Sequence, residues 1–148
     1  MEAEFRVASS VDLETLLSFA RAFYAHERIA FDEPKARAAF RRLLEDPQFG
    51  RVWVIFGDGT PVGYSVLTFG FSIEFGGRDA ILDEIYIKEG YRHRGLGGQA
   101  LRLAEDACRE LGVRALHLEV ERSNTTAQKF YRAHGFIDHD RYFMTKNT

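Results

Sequence analysis

Arg92-His93-Arg94-Gly95-Leu96-Gly97-Gly98 sets three glycines and two arginines between a β-rich stretch, residues 81–87, and an amphipathic helical pattern over 96–111. A strand, a glycine-rich turn and a helix N-terminus together form an anion site. The first backbone N–H groups of the helix lack partners, and the helix dipole favours negative charge there. Glycine lets an acceptor approach the backbone closely because no Cβ intervenes. The spacing therefore predicts a seat for a phosphate or pyrophosphate; the plainer alternative is a tight connection carrying two solvated arginines. The turn lacks the three-glycine spacing of a dinucleotide fold and the terminal Gly-Lys-Ser/Thr of a P-loop, which argues against nucleotide hydrolysis. The preceding stretch carries two adjacent acids, Asp83 and Glu84. No residue has the setting of a covalent nucleophile. Cys108 falls in line with Leu101, Ala104 and Leu111 as a core thiol, and no serine sits in a nucleophile elbow. The five histidines show no metal-ligand spacing, and His117 is a lone strand histidine.

The elements that must position these groups are readable in outline. An extended start at 5–8 precedes a helix over 13–24, with Ser9 and Asp12 at capping-box spacing. A second helix begins near Asp32, holds Pro34 in its first turn and is stopped by Pro47. Residues 51–56 and 61–69 read as strands joined by Gly57-Asp58-Gly59-Thr60, a hairpin turn. Residues 70–77 read as a looser aromatic segment. Gly112 closes the long helix. Residues 115–121 alternate as a half-buried strand, with His117, Glu119 and Glu121 on one face. Ser123 or Asn124 caps a helix through His134, and 136–144 can form a last hairpin. The order β-α-α-β-β-β-α-β-α-β-β predicts an α/β fold: a mixed, mostly antiparallel central sheet with helices on both faces. In the acid-bearing strand, strict alternation sends Asp83 and Glu84 to opposite faces, Asp83 with Ile81, Ile85 and Ile87.

At 148 residues the chain fits one domain, with 45% hydrophobic and 28% charged residues placing it among globular proteins. Thirteen phenylalanines imply an aromatic-rich core or pocket. A net charge of −2 does not favour a nucleic-acid partner. No apolar run approaches the roughly 20 residues that span a bilayer, and the N-terminus lacks a signal pattern, so the expectation is a cytoplasmic protein without a membrane partner.

Arg92-x-x-Gly95-x-Gly97 after such a strand, followed by Asn124-Thr-Thr-Ala127-Gln-Lys-Phe130-Tyr131-Arg-Ala-His-Gly135-Phe136, resembles the GNAT superfamily of acyl-CoA-dependent N-acetyltransferases. The two signatures cover roughly the second half of the chain. The resemblance implies one GNAT-like domain over 1–148, a sheet splayed between its fourth and fifth strands, and acetyl-CoA as cosubstrate with no metal. It implies that Arg92, His93, Arg94, Gly95, Leu96, Gly97 and Gly98 hold the pyrophosphate. The backbone of Ile85, Tyr86 and Ile87 would pair with the pantetheine arm, and Asn124 would contact that arm. Tyr131 would protonate the departing thiolate beside the cofactor. An amine is an ammonium at neutral pH, so it must lose a proton before attacking a thioester; Asp83 or Glu84 is the candidate base.

The family sets acceptor choice with its first two helices and the loop before the fourth strand. Here Tyr24, His26, Glu27 and Glu74 are the candidates, favouring a cationic amine in an aromatic-walled pocket. The implied activity is transfer of an acetyl group to a primary amine of a small molecule or peptide by direct attack in a ternary complex. The alternatives are a protein N-terminal or lysine acetyltransferase, or a non-catalytic acyl-CoA sensor. A homodimer using Phe136, Tyr142 and Phe143 is a further expectation from the resemblance.

Overall fold

A computed structural model describes all 148 residues, which form two compact units, Met1–Leu118 and Glu119–Thr148. The first unit contains β1 (Ala3–Val7), a short 3-10 turn at Ser10–Asp12, α1 (Leu13–His26) and α2 (Glu33–Glu45). It continues with β2 (Gly50–Gly57), β3 (Thr60–Ser72), β4 (Gly77–Ile87), a turn at Glu89–Tyr91, α3 (Leu96–Glu110) and β5 (Ala115–His117). The second contains α4 (Thr125–Ala133). The five strands form one sheet in the order β1-β2-β3-β4-β5. Neighbours are antiparallel except β4 and β5, which run parallel.

Local chemistry explains the boundaries. The Asp12 carboxylate accepts the Ser9 N–H at 2.9 Å and Arg6 Nη2 at 2.7 Å, which fixes the entry to α1. Burial opposes the Asp12 charge, but these hydrogen bonds and the Arg6 guanidinium prevail and hold its pKa below the ordinary value. Asp32 caps α2 by accepting the Lys35 N–H at 3.1 Å. Asp58 and Gly59, at φ 49° and 78°, give β2 and β3 the two-residue turn whose twist suits a hairpin.

Alternation divides the core between the two faces of the sheet. On one face Leu13, Leu16, Leu17 and Ala20 of α1 and Phe40 of α2 pack on Val52, Val54, Tyr64 and Val66. On the other, Leu96 of α3 packs with Ile55 and Val62, flanked by Phe5, Ile87 and Tyr91. Cys108 is buried on α3, as its position in the helical stripe predicts.

Four expectations change. The segment 70–77 is half sheet: Gly70 pairs with Asp79, Phe71 with Arg78 and Ser72 with Gly77, and only residues 73–76 form the looser turn. Gly70 marks a close approach, since a Cβ there would stand 2.9 Å from Asp79 Oδ1. The strand expected over 115–121 ends at His117, because its ladder with β4 covers only Asp79–Ala115, Ala80–Leu116 and Ile81–His117. No hairpin forms over 136–144, where Ile137, Tyr142, Phe143 and Met144 are exposed; a two-stranded ribbon alone is marginal in water. Finally, Val66 pairs with Glu84 while Leu67 pairs with Leu82, so Asp83 is the extra residue of a β-bulge. The strict alternation expected along this strand is therefore broken at the acids.

β3 and β4 approach unusually closely at Gly63, where a Cβ would stand 2.1 Å from the Tyr86 carbonyl oxygen. Gly63→Ala must push the two strands apart and is expected to cost about 1–3 kcal/mol. Urea denaturation measures this as a lowered midpoint, and an unchanged midpoint would contradict the packing described.

Candidate active site

The bulge decides where the acids go. Glu84 stands opposite Val66, on the face covered by α1 and α2, and Tyr86 stands opposite Tyr64 on the same face. Ile87 packs on the α3 face. The extra residue lets Asp83 join Glu84, and both line one cleft of about 640 Å³ between α1, α2 and strands β3 and β4. The expectation that they point to opposite faces is thus corrected, and with it the grouping of Asp83 with Ile85 and Ile87. Apolar side chains dominate the remaining wall, including Phe40, Phe49 and Phe69.

Glu84 is fixed from two sides. Its Oε2 accepts from Tyr24 Oη at 2.5 Å and its Oε1 from Tyr64 Oη at 2.8 Å. Tyr64 is fully buried and packs against Phe19, Phe23, Phe40 and Tyr86. Burial raises the Glu84 pKa; the two phenols draw it back and the neighbouring Asp83 charge raises it again, leaving it above the ordinary value. Asp83 is exposed, but the protein packed around its carboxyl desolvates it in part and moves its pKa up as well. For Tyr24 and Tyr64, burial together with the Glu84 carboxylate drives the pKa far up, so both phenols stay protonated and donate.

The glycine turn lies between β4 and α3. His93 and Gly95 adopt left-handed backbone at φ 61° and 80°. Gly95 occupies the N-cap of α3 and offers no side chain to cap it. The N–H groups of Leu96, Gly97 and Gly98 therefore have no acceptor within the helix. A Cβ added at Gly95 or Gly97 would meet no protein atom within 4 Å. The bare backbone at these positions faces open space rather than satisfying internal packing, which fits close approach of a phosphate-bearing group. The two arginines differ in use. Arg92 Nε donates to the Ile87 carbonyl at 2.7 Å, with its guanidinium over Tyr86, and so secures the end of β4. Arg94 is exposed, lying over Tyr91. β4 and β5 part after Ile81 and His117, so their ladder stops before Ile85, Tyr86 and Ile87.

In the second unit Asn124 caps α4, its Oδ1 accepting the Ala127 N–H at 3.1 Å; its amide Nδ2 is not used by that bond. Tyr131 packs against Phe130 and Phe136, and burial raises its pKa. Among the acceptor candidates, Tyr24 lines the cleft. His26 and Glu27 are exposed at the end of α1, and Glu74 lies in the β3–β4 turn; none of these three is in the cleft wall. The sequence reading missed Tyr64 and Arg42, a cleft-lining residue of α2. Tyr64 lay two residues from Val66 on the same strand face, but its partner could not be found without the register of β4. His117 is held at Nε2 by Asp79 at 3.1 Å and packs on Phe75, a structural setting.

The Acetyltransferase (GNAT) family model matches residues 17–136. A putative ribosomal-protein bS18-alanine N-acetyltransferase of Bacillus subtilis is 34% identical over 113 residues, covering 76% of this chain and 70% of its own. The integron cassette protein HFX_CASS3, from the mobile metagenome of Cole Harbour Salt Marsh, is 34% identical with a TM-score of 0.85, covering 97% of this chain and 89% of its own. The fold is also that of the aminoglycoside N-acetyltransferase AAC(6')-Iy, solved with CoA, at a TM-score of 0.85 and 16% identity over 99% and 95% of the two chains. The family match begins within α1 and ends just past Gly135, so it takes in the acid-bearing strand and the glycine turn alike, and the chain belongs to the GNAT family of acetyl-CoA-dependent acetyltransferases.

Proposed function

We propose that the protein moves the acetyl group of acetyl-CoA to a primary amine of a small molecule or peptide by direct attack, with both substrates bound. The observation that carries this reading is the bulge that brings Asp83 and Glu84 into one apolar-walled cleft. Acetyl-CoA supplies an activated thioester. The N–H groups of Leu96, Gly97 and Gly98 receive its pyrophosphate, with Arg92, His93 and Arg94 alongside, and the backbone of Ile85, Tyr86 and Ile87 guides the pantetheine arm, helped by the Asn124 amide.

Glu84, anchored by Tyr24 and Tyr64, supplies a fixed negative charge that draws the acceptor ammonium into the cleft. Asp83 carries no such anchor and takes the proton. The nitrogen lone pair then forms the N–C bond, the C–S bond breaks, and the sulfur leaves with the electron pair. Tyr131, kept protonated by burial, supplies the proton that the sulfur receives. A second reading is acetylation of a protein's N-terminal amine, favoured by the likeness to the Bacillus bS18-alanine enzyme. Thiol release measured with a panel of small amines beside N-terminal peptides distinguishes the two.

Three outcomes are expected. Gly97→Glu brings a carboxylate to the N–H groups at a position where an added Cβ meets no protein atom within 4 Å; calorimetry should find CoA binding lost with thermal stability retained, whereas retained binding would remove the turn from the cofactor site. Asp83→Asn should lower kcat by about 10²–10⁴ at neutral pH, the range of general-base assistance. Because partial desolvation raises the Asp83 pKa, wild-type activity should fall as pH drops through a value above the ordinary carboxylate range, and Asp83→Asn should abolish that limb. A variant indistinguishable from wild type would give the base to another group. Tyr131→Phe should lower kcat while CoA affinity is kept; unchanged turnover would exclude the phenol as the acid.

A further inference from the structure

The two ends of the cleft carry opposite charge. At one end stand Asp83 and Glu84, opposite Val66 of β3. At the other stands Arg42, in the last turn of α2, the only cationic side chain lining the cleft. Its guanidinium lies over the Phe49 ring, 4.9 Å from the centroid. No ion pair or side-chain hydrogen bond engages it; the acid one turn further on, Asp46, accepts the Gln48 N–H instead. Phe69, joined to Phe49 by a backbone hydrogen bond of 3.0 Å, also lines the cleft, and Arg78 lies 4.3 Å over its ring. This end is therefore cationic twice over, with one guanidinium facing the cleft and a second backing its wall.

The β3 register sets the separation. Val66 and Phe69 are three residues apart, which in a strand is roughly 10 Å. Between them the lining is aliphatic and aromatic, offering no polar partner to the middle of a ligand beyond Thr68. An unpaired guanidinium suits a carboxylate or another oxyanion, which its planar fork of donors matches. A diamine would instead place its second ammonium against Arg42 and be repelled.

We propose that the acceptor is an ω-amino acid type of molecule: a primary amine that meets Asp83 and Glu84, an apolar chain of about lysine side-chain length, and a carboxylate at the far end that Arg42 reads. The assignment of Arg42 as a specificity residue rests on the acetyl-transfer reading above and narrows its substrate class.

The test compares three amines of one chain length with the purified protein and acetyl-CoA: 6-aminohexanoate, hexylamine and 1,6-diaminohexane, followed by thiol release. Wild type should favour 6-aminohexanoate by kcat/KM and use the diamine least. Arg42→Gln should cut the 6-aminohexanoate to hexylamine selectivity ratio about fivefold, as loss of one rim charge contact does, with the change carried by KM. Arg42→Glu should turn the preference towards the diamine. Circular dichroism checks that both variants fold, and raised salt should erode the wild-type preference. A wild-type preference for the diamine, or a ratio that neither variant moves, overturns the proposal while acetyl transfer stands. Turnover of none of the three, with CoA binding intact, overturns the proposal; if the wider amine and peptide panel is silent as well, the acetyl-transfer reading falls with it.

Discussion

One extra residue in one strand governs the chemistry-bearing face of this sheet. Between the pairs Val66–Glu84 and Leu67–Leu82 the chain of β4 must fit Asp83 without a partner on β3. A regular strand would have directed one carboxylate to each face, one towards the α1 and α2 layer and one towards α3. The bulge instead gathers both under α1 and α2, while Leu82 and Ile87 still serve the opposite side of the sheet. Bulges re-aim side chains in this manner where a regular ladder cannot supply the required direction. The Tyr24 and Tyr64 phenols then tie the re-aimed strand to α1 and β3 through Glu84, leaving Asp83 unanchored beside it.

The glycine turn solves a different problem with backbone alone. His93 and Gly95 take left-handed conformations, so the chain leaves the turn at Glu89–Tyr91 and enters α3 without a side-chain cap. A capped helix would have consumed the N–H groups that an incoming phosphate needs. Arg92 meanwhile spends its Nε on the Ile87 carbonyl. That contact joins the end of the acid-bearing strand to the start of the glycine turn, so the two halves of the proposed chemistry share one short connection.

Where local chemistry determined the outcome, the sequence was sufficient. Asp58-Gly59 demanded a tight hairpin, Asp32 and Pro34 opened α2, and Gly112 and Gly135 closed α3 and α4, each in a left-handed conformation. The glycine turn was legible for the same reason. The bulge was not, because two-against-one pairing is a property of neighbouring strands, and residues 81–87 carry no signal for it. Gly70 misled because a glycine that admits a neighbouring side chain reads the same as one that loosens a strand. The extent of β5 depended on how far β4 stayed alongside it, and the alternation of Glu119 and Glu121 could not reveal that. Tyr64 and Arg42 escaped notice because each matters only through a partner far away in sequence: Glu84 for one, the cleft for the other.

Glu84 is half-buried and Asp83 stands beside it at the exposed side of the cleft, and no arginine, lysine or histidine of this chain forms an ion pair with either carboxylate. The deficit suits an ammonium brought by the acceptor. The apolar wall then acts on both partners of the proposed proton transfer. It disfavours charge, raising the carboxyl of Asp83 and lowering the pKa of a buried ammonium from its free value of about 10. The two values move towards each other, and the barrier to transferring the proton falls accordingly. Glu84 opposes part of this effect, since its charge stabilises the ammonium. The donors from Tyr24 and Tyr64 temper that opposition by dispersing the Glu84 charge. In the proposed reaction, a carboxylate clamped by two phenols beside one left unclamped would divide attracting a cation from deprotonating it, and two equally solvated acids would achieve neither as well.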